Sequence, residues 1–296
     1  MQQVLTVIAP AASPLSATEL ARARDAMGAV GAETLAPAWL AEAEAADIPF
    51  AGLDPEQAEA AARAALQGPR DLVAQPAEGR RKRLLVADMD STIVTSETLD
   101  ELAAFAGLKE RIAAITARAM NGELDFAGAL RERVAMLKGL SADALEQTWA
   151  ATELMPGAAA LVATMRAHGA FCALVSGGFT FFTGRVRQKV GFDLDQSNVL
   201  EIEDGRLAGR VAEPILDRHA KLASLRKLAA ERGLALSETC TVGDGANDLP
   251  MLQAAGLGVA FRAKPSVAAA ARVRIDHGDL TALLFAQGYR REDFCS

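Results

Sequence analysis

The stretch LLVADMDSTIV, residues 84–94, sets two aspartates, Asp88 and Asp90, directly behind four apolar residues. A short continuous apolar run fits a strand of a parallel sheet covered on both faces. Two carboxylates one residue apart at its end repel each other, and taking them out of water is costly. Such a pair belongs either in a solvated loop or beside something positive.

The chain has 296 residues, room for one large domain with additions or for two domains. Hydrophobic residues make up 51% and charged residues 23%, as in an ordinary globular protein. The net charge of −7 argues against nucleic acid or an anionic membrane as the main partner. No apolar run reaches membrane-spanning length, and the start MQQVLTVIAPAASP lacks a basic leader region, so a cytoplasmic location is expected. Cys172, Cys240 and Cys295 are scattered and odd in number, which speaks against a disulfide framework or a zinc site.

Before residue 80 the pattern is that of a small α/β unit without a chemical motif. VLTVIAP (4–10) reads as a strand, and residues 16–31 read as a helix capped by Ser16 or Thr18. Residues 54–67 read as a second helix with Asp54 as N-cap and Pro55 in its first turn, and RDLVAQP (70–76) as a strand. Residues 32–52 are ambiguous: Glu33–Leu40 alternates as a strand does, yet the alanine content suits a helix. AEGRRKR (77–83) is the best linker, which predicts domains at 1–79 and 80–296.

Beyond it, buried strands are predicted at 84–87, at FCALVSGG (171–178) and at the start of ETCTVGDGANDLPML (238–252), with short strands at 257–261 and 273–277. Residues 96–152 show helical periodicity, 198–211 read as a hairpin around Asp204-Gly205, and 218–233 as a helix. Strands alternating with helices predict a doubly wound parallel sheet, an α/β fold. Asp88, Asp90, Ser176 and Asp244 all follow strands, and the carboxyl ends of such strands form the ligand crevice.

Taken singly, each of these aspartates reads best as a helix cap or a turn former. Three at one crevice cannot all stay ionised without a cation, and hard carboxylate oxygens suit Mg²⁺. Lys221, at the start of its helix, would not stand out from 31 basic residues by position alone.

DMDSTIV, LVSGGF, the lysine of RHAKLASL and VGDGANDLPML resemble the four ordered motifs of the haloacid dehalogenase superfamily of phosphatases. The match is closer still to its phosphoserine phosphatase branch, through DSTIVTSETLDELA, LDFAGALRERVAMLKGL and VSGGF, and it covers about residues 83–290. The resemblance implies Mg²⁺-dependent hydrolysis of O-phospho-L-serine through an aspartyl-phosphate, the last step of serine biosynthesis. It implies Asp88 as nucleophile and Asp90 as general acid–base. Mg²⁺ would be held by Asp88, the Asp90 main-chain carbonyl and Asp244, with Asp248 in support. Ser176, Gly177, Lys221 and Asn247 would bind the phosphoryl group or product. Glu97 would take the substrate ammonium, Arg133 its carboxylate, and Met120 and Phe126 would form apolar walls. Arg131 rivals Arg133; on a helix only one of the two faces the ligand.

The resemblance also implies a helical cap at about 96–155 that closes over the crevice, with the hairpin on the other rim. A phosphatase or phosphotransferase for another small phosphomonoester is the alternative. A non-enzymatic sensor would not need both Asp88 and Asp90. His168, His219 and His277 are poor candidates. Residues 1–79 match an ACT-like domain weakly. They lack a glycine-rich ligand turn, which favours bracing or a homodimer over binding an amino acid.

Overall fold

The computed structural model describes residues 2–120 and 124–295, apart from the side chains of residues 117, 119, 120 and 218. Its first elements are β1 (Gln3–Ile8), α1 (Ala17–Ala29), β2 (Glu33–Thr34), β3 (Ala38–Ala41), β4 (Ala45–Ala51), α2 (Pro55–Ala65) and β5 (Asp71–Pro76). The strands form an antiparallel sheet in the order β2-β4-β1-β5, with β3 also paired to β4. Ser16 caps α1 through a capping box: its hydroxyl accepts the Glu19 N–H at 3.3 Å, and the Glu19 carboxylate accepts the Ser16 N–H at 3.0 Å. The ambiguous residues 32–52 are strands. Pro37 and Pro49 obstruct a helical ladder, and pairing with β1, from Gln3↔Phe50 to Ile8↔Ala45, supplies the backbone bonds.

One face of this sheet packs Leu5, Val7, Ile48 and Leu72 into its own core with α1 and α2. Ile8, Leu40, Ala45 and Val73 join the core of the rest of the chain. Polar contacts reinforce the seam. The buried Asp71 carboxylate accepts the N–H groups of Asp276 (2.8 Å), His277 (3.2 Å) and Gly278 (2.7 Å). The basic connector 77–83 is pinned as well: Arg80 pairs with Asp47 at 2.6 Å, and the buried Lys82 ammonium donates to the carbonyls of Gly79 and Ser237.

The remaining elements are β6 (Leu84–Ala87), α3 (Thr98–Phe105), α4 (Lys109–Met120), α5 (Phe126–Ala135), α6 (Asp143–Ala151), α7 (Ala158–Ala167), β7 (Phe171–Phe179), α8 (Thr180–Val190) and β8 (Leu194–Asn198). There follow β9 (Leu200–Glu203), β10 (Arg206–Val211), α9 (Arg218–Glu231), β11 (Thr239–Gly243), α10 (Leu249–Ala254), β12 (Leu257–Phe261), α11 (Pro265–Ala270), β13 (Val273–Ile275) and α12 (Ala282–Ala286). Six strands form a parallel sheet in the order β13-β12-β11-β6-β7-β8. All four residues of β6 are fully buried; Leu85 and Ala87 enter one core, Leu84 and Val86 the other. A strand covered on both faces leaves no polar side, which is why its sequence does not alternate. β8, LDQSN, has no such run because it is the sheet's edge, and the sequence pattern does not announce it.

The chain runs outward from β6 to β8 on one side and from β11 to β13 on the other. The reversal between β6 and β11 opens a crevice at the strands' carboxyl ends. Helices α3–α6 are inserted beside it. The two crossings of the insert run side by side: the Thr95 N–H donates to Glu153 O at 3.0 Å, and the Met155 N–H to Ile93 O at 2.8 Å. The β9–β10 hairpin does not stand on the opposite rim. Gly139 and Leu140 of the insert exchange backbone hydrogen bonds with Leu207 of β10, so hairpin and insert meet edge to edge. Among the described residues, no helix is long and apolar enough to cross a membrane.

Candidate active site

The loop after β6 places Asp88 and Asp90 in different surroundings. Asp88, 6% exposed, is 2.7 Å from the Lys221 ammonium, which also donates to Asp248 at 2.6 Å. Lys221 is 1% exposed, so a charge in the first turn of α9 is held by its partners across the crevice. Burial works to lower its pKa, but Asp248 and Asp88 outweigh burial and hold the ammonium protonated. Burial pushes the Asp88 carboxyl well up, Asp248 adds to that, and Lys221 opposes it.

Asp90 turns away from this cluster. One of its carboxylate oxygens accepts the Thr98 N–H at 2.9 Å and the Thr98 hydroxyl at 2.8 Å; the other lies 3.5 Å from Ser176 Oγ. Burial and then Glu97 push its pKa up to about 7, against the Thr98 hydrogen bonds. Ser91, directly after Asp90, has φ +55°, an unusual backbone region for a side-chain-bearing residue, and its hydroxyl donates to Glu97 at 2.9 Å. The tight turn thus points Asp90 and Glu97 to one side and Asp88 to the other.

Asp88, Asp244 and Asp248 each offer a carboxylate oxygen, and these oxygens lie within 4.8 Å of one another. Burial raises the Asp244 pKa to about 6, with Lys264, 3.9 Å away, pulling the other way. Three buried hard-oxygen donors with this little cationic compensation fit a small divalent cation such as Mg²⁺. Glycine permits the crowding: a Cβ on Gly243 would collide with the Asp248 carboxylate, and one on Gly245 with the Asn247 amide, which is half-buried over that turn. Asp248 is fully buried, and its second oxygen accepts the Gly245 N–H at 3.0 Å.

On the β7 side, Ser176 Oγ accepts the Gly178 N–H at 2.9 Å. The Phe126 ring, from the start of α5, lies against Gly177: a Cβ there would come within 2.9 Å of it. The insert therefore reaches the Ser176–Gly177 turn directly. Arg131 and Arg133 part company. Arg131 pairs with Glu213 at 2.6 Å. Arg133 is half-buried, with its Nε 3.3 Å from Ala129 O; burial lowers its pKa, and Asp100, Glu97 and Asp90 oppose this. Glu97 itself is exposed, at the N-cap of α3. The Met120 side chain lies outside the described residues. His168 caps the end of α7 against Tyr289, His277 serves the Asp71 seam, and His219 is exposed.

Three charged neighbours escape the sequence reading. Asp100 stands one turn beyond Glu97 and helps to hold Arg133; its spacing of three is the signal. Lys264 lies three residues beyond β12, at the same carboxyl edge of the sheet as Asp88, so a widened strand-end rule could find it. Glu213 carries no local signal, because its partner is 82 residues away.

Residues 85–253, more than half of the chain, match the family model of haloacid dehalogenase-like hydrolases. A phosphoserine phosphatase of Streptomyces coelicolor is 46% identical over 222 residues, 75% of this chain and 54% of that protein. The chain spans about half the length of such curated relatives, 52–57% in three of them. A HAD family hydrolase of Salmonella enterica serovar Typhi superposes with a TM-score of 0.83 at 29% identity, over 96% of this chain and 98% of that one. A structure described as a phospho-aspartyl intermediate analogue of phosphoserine phosphatase superposes with a TM-score of 0.65 at 38% identity, over 69% of this chain and 98% of that one. The chain belongs to the haloacid dehalogenase-like hydrolases and, within them, to the phosphoserine phosphatase family.

Proposed function

We propose that the chain hydrolyses O-phospho-L-serine to L-serine and phosphate through a phosphorylated Asp88. The observation that carries this is the division between the two carboxylates of one turn. Asp88 is gripped by a buried ammonium, whereas Asp90 is turned to Thr98 and Ser176 with its pKa raised. A relative held as a phospho-aspartyl intermediate analogue supports it.

An Asp88 oxygen attacks phosphorus and forms an O–P bond as the bond to the seryl oxygen breaks. Asp90 gives its proton to that seryl oxygen. The Asp90 carboxylate then takes a proton from water, whose oxygen attacks phosphorus, and the Asp88–phosphorus bond breaks to release phosphate. Lys221 holds Asp88 in place and offsets negative charge. Ser176 and the Gly177 amide face the phosphoryl oxygens, and Asn247 reaches the phosphate or product. Mg²⁺ would sit on Asp88, the Asp90 carbonyl and Asp244, with Asp248 behind. When bound it offsets charge between carboxylates and phosphoryl oxygens.

Substrate choice falls to the insert. Glu97 takes the ammonium and Arg133 the carboxylate, beside Phe126 and Met120. The engagement of Arg131 by Glu213 supports this choice between the two arginines. We read residues 1–79 and 80–296 as domains, with a cap at about 96–155, acting in the cytoplasm. The Asp71 and Arg80 contacts support bracing by the first domain. Exposed Val30 and Leu35, which flank β2, support a homodimer through it.

The test is phosphate release from L-phosphoserine against a panel of sugar and aryl phosphates, with Mg²⁺ and with EDTA. Phosphoserine should lead the panel, and EDTA should stop release. Arg133→Ala should raise KM about 30-fold, the scale of one charge-assisted hydrogen bond of about 2 kcal/mol. Arg131→Ala should stay within about twofold, as for an exposed pair. Phosphoserine turnover that survives Arg133→Ala unchanged would remove the substrate assignment.

A further inference from the structure

Ser176, Gly177 and Gly178 interrupt the ladder between β7 and β8. Val175 pairs with Gln196 and Phe179 with Asn198, so β7 takes four steps where β8 takes two. Such a bulge frees backbone groups from the sheet beside a site. The Gly177–Gly178 peptide within it is fixed at both ends. Its N–H donates to Ser176 Oγ at 2.9 Å, and its C=O accepts from Asn198 Nδ2 at 2.9 Å. Asn198 is 2% exposed. The rest of its amide is anchored on Leu216, whose N–H it accepts at 2.7 Å and whose carbonyl lies 3.4 Å from Nδ2. Leu216 directly precedes Asp217, which caps the helix carrying Lys221.

We infer that Asn198 is a positioning residue for phosphoryl transfer, which acts through the Gly177–Gly178 peptide to orient the Ser176 hydroxyl. This rests on the phosphatase reading for the nature of the ligand. Ser176 Oγ is already an acceptor for the Gly178 N–H, so its own proton is the one left to donate. An acceptor on the crevice side is the Asp90 carboxylate, 3.5 Å away. The peptide has little room to turn: a Cβ on Gly178 would stand 2.9 Å from the Asp90 carboxylate and 3.1 Å from Ser176 Oγ. Without the Asn198 donor, the Gly177 carbonyl loses its buried partner, the peptide plane is held at one end only, and the Ser176 hydroxyl is less sharply aimed. Asn198 touches no reacting atom.

The test uses the full chain with Mg²⁺ and hydrolysis of both L-phosphoserine and para-nitrophenyl phosphate. Binding of inorganic phosphate and of L-serine is measured by calorimetry. Asn198→Asp keeps the acceptor for Leu216 and deletes the donor to Gly177; Asn198→Ala deletes both without adding charge. Each should lower kcat and phosphate affinity about tenfold, the scale of one hydrogen bond. L-Serine affinity, which depends on Glu97 and Arg133, should move less than about twofold. In a Ser176→Ala background the loss caused by Asn198→Ala should shrink to about threefold or less, because the two act in series. Full additivity, or equal loss of phosphate and serine binding with a lowered Tm, would make Asn198 ordinary packing and overturn the inference. If neither ester is hydrolysed by the parent chain, the phosphatase reading fails, while phosphate binding still decides the role of Asn198.

Discussion

Asp88→Asn is expected to abolish phosphoserine turnover, by about four orders of magnitude or more, as removal of a covalent nucleophile does. The amide is nearly isosteric but cannot form the bond to phosphorus. Folding should survive. The substitution loses an ion pair with Lys221 at 2.7 Å, yet it also removes a carboxylate that burial and Asp248 both disfavour in its charged form. Lys221 keeps Asp248 as a partner at 2.6 Å. Circular dichroism should overlay that of the parent chain while phosphate release vanishes. Residual turnover within tenfold of the parent chain would mean that another group attacks phosphorus.

Lys221→Met should have the largest effect on stability. It leaves Asp88 and Asp248 facing each other with no ammonium between them, with side-chain exposures of 8% and 0%. Removing one partner of a buried ion pair costs about 3–5 kcal/mol, because the remaining charge is uncompensated. The pH dependence carries the sign. Burial and Asp248 already hold the Asp88 carboxyl well above its ordinary value, and without the ammonium that opposes them it is pushed further up. The variant's deficit is therefore small at low pH, where Asp88 is protonated with or without Lys221, and grows as pH rises past the point at which Asp88 ionises in the folded parent chain. Urea unfolding at about pH 5 and pH 8 should show the larger deficit at pH 8. A variant as stable as its parent at pH 8 would mean that no cation is needed between these acids. Turnover should be lost as well, since Asp88 loses the group that fixes it.

Much of this arrangement is legible in the residues themselves. Buried parallel strands announce themselves as continuous apolar runs, and LLVA, CALV and TCTV each deliver a polar side chain to one edge of the sheet. That geometry alone brings Asp88, Ser176 and Asp244 together. What stays hidden depends on distant partners. Lys221 meets acids 133 residues before it and 27 after it, so nothing local distinguishes it from other lysines; resemblance to the phosphatases singled it out. The choice between Arg131 and Arg133 turns on Glu213, on the far side of the hairpin. β8 is polar because it is an edge, and residues 32–52 become strands because β1 supplies a partner for β4, which in turn pairs with β2 and β3. Local pattern settles the elements that are buried on both faces. Elements whose partners come from elsewhere are settled by packing.

The most direct test of the central claim is to trap the phosphorylated enzyme. The Mg²⁺-loaded chain would be mixed with phosphoserine labelled at phosphorus, quenched in acid within its first turnover, digested and mapped by mass spectrometry. The label should appear on the peptide that contains Asp88, be lost on mild alkaline treatment as an acyl phosphate is, and be absent from Asp88→Asn. Phosphate released at full rate with no label on Asp88, or label carried by another residue, would contradict the account.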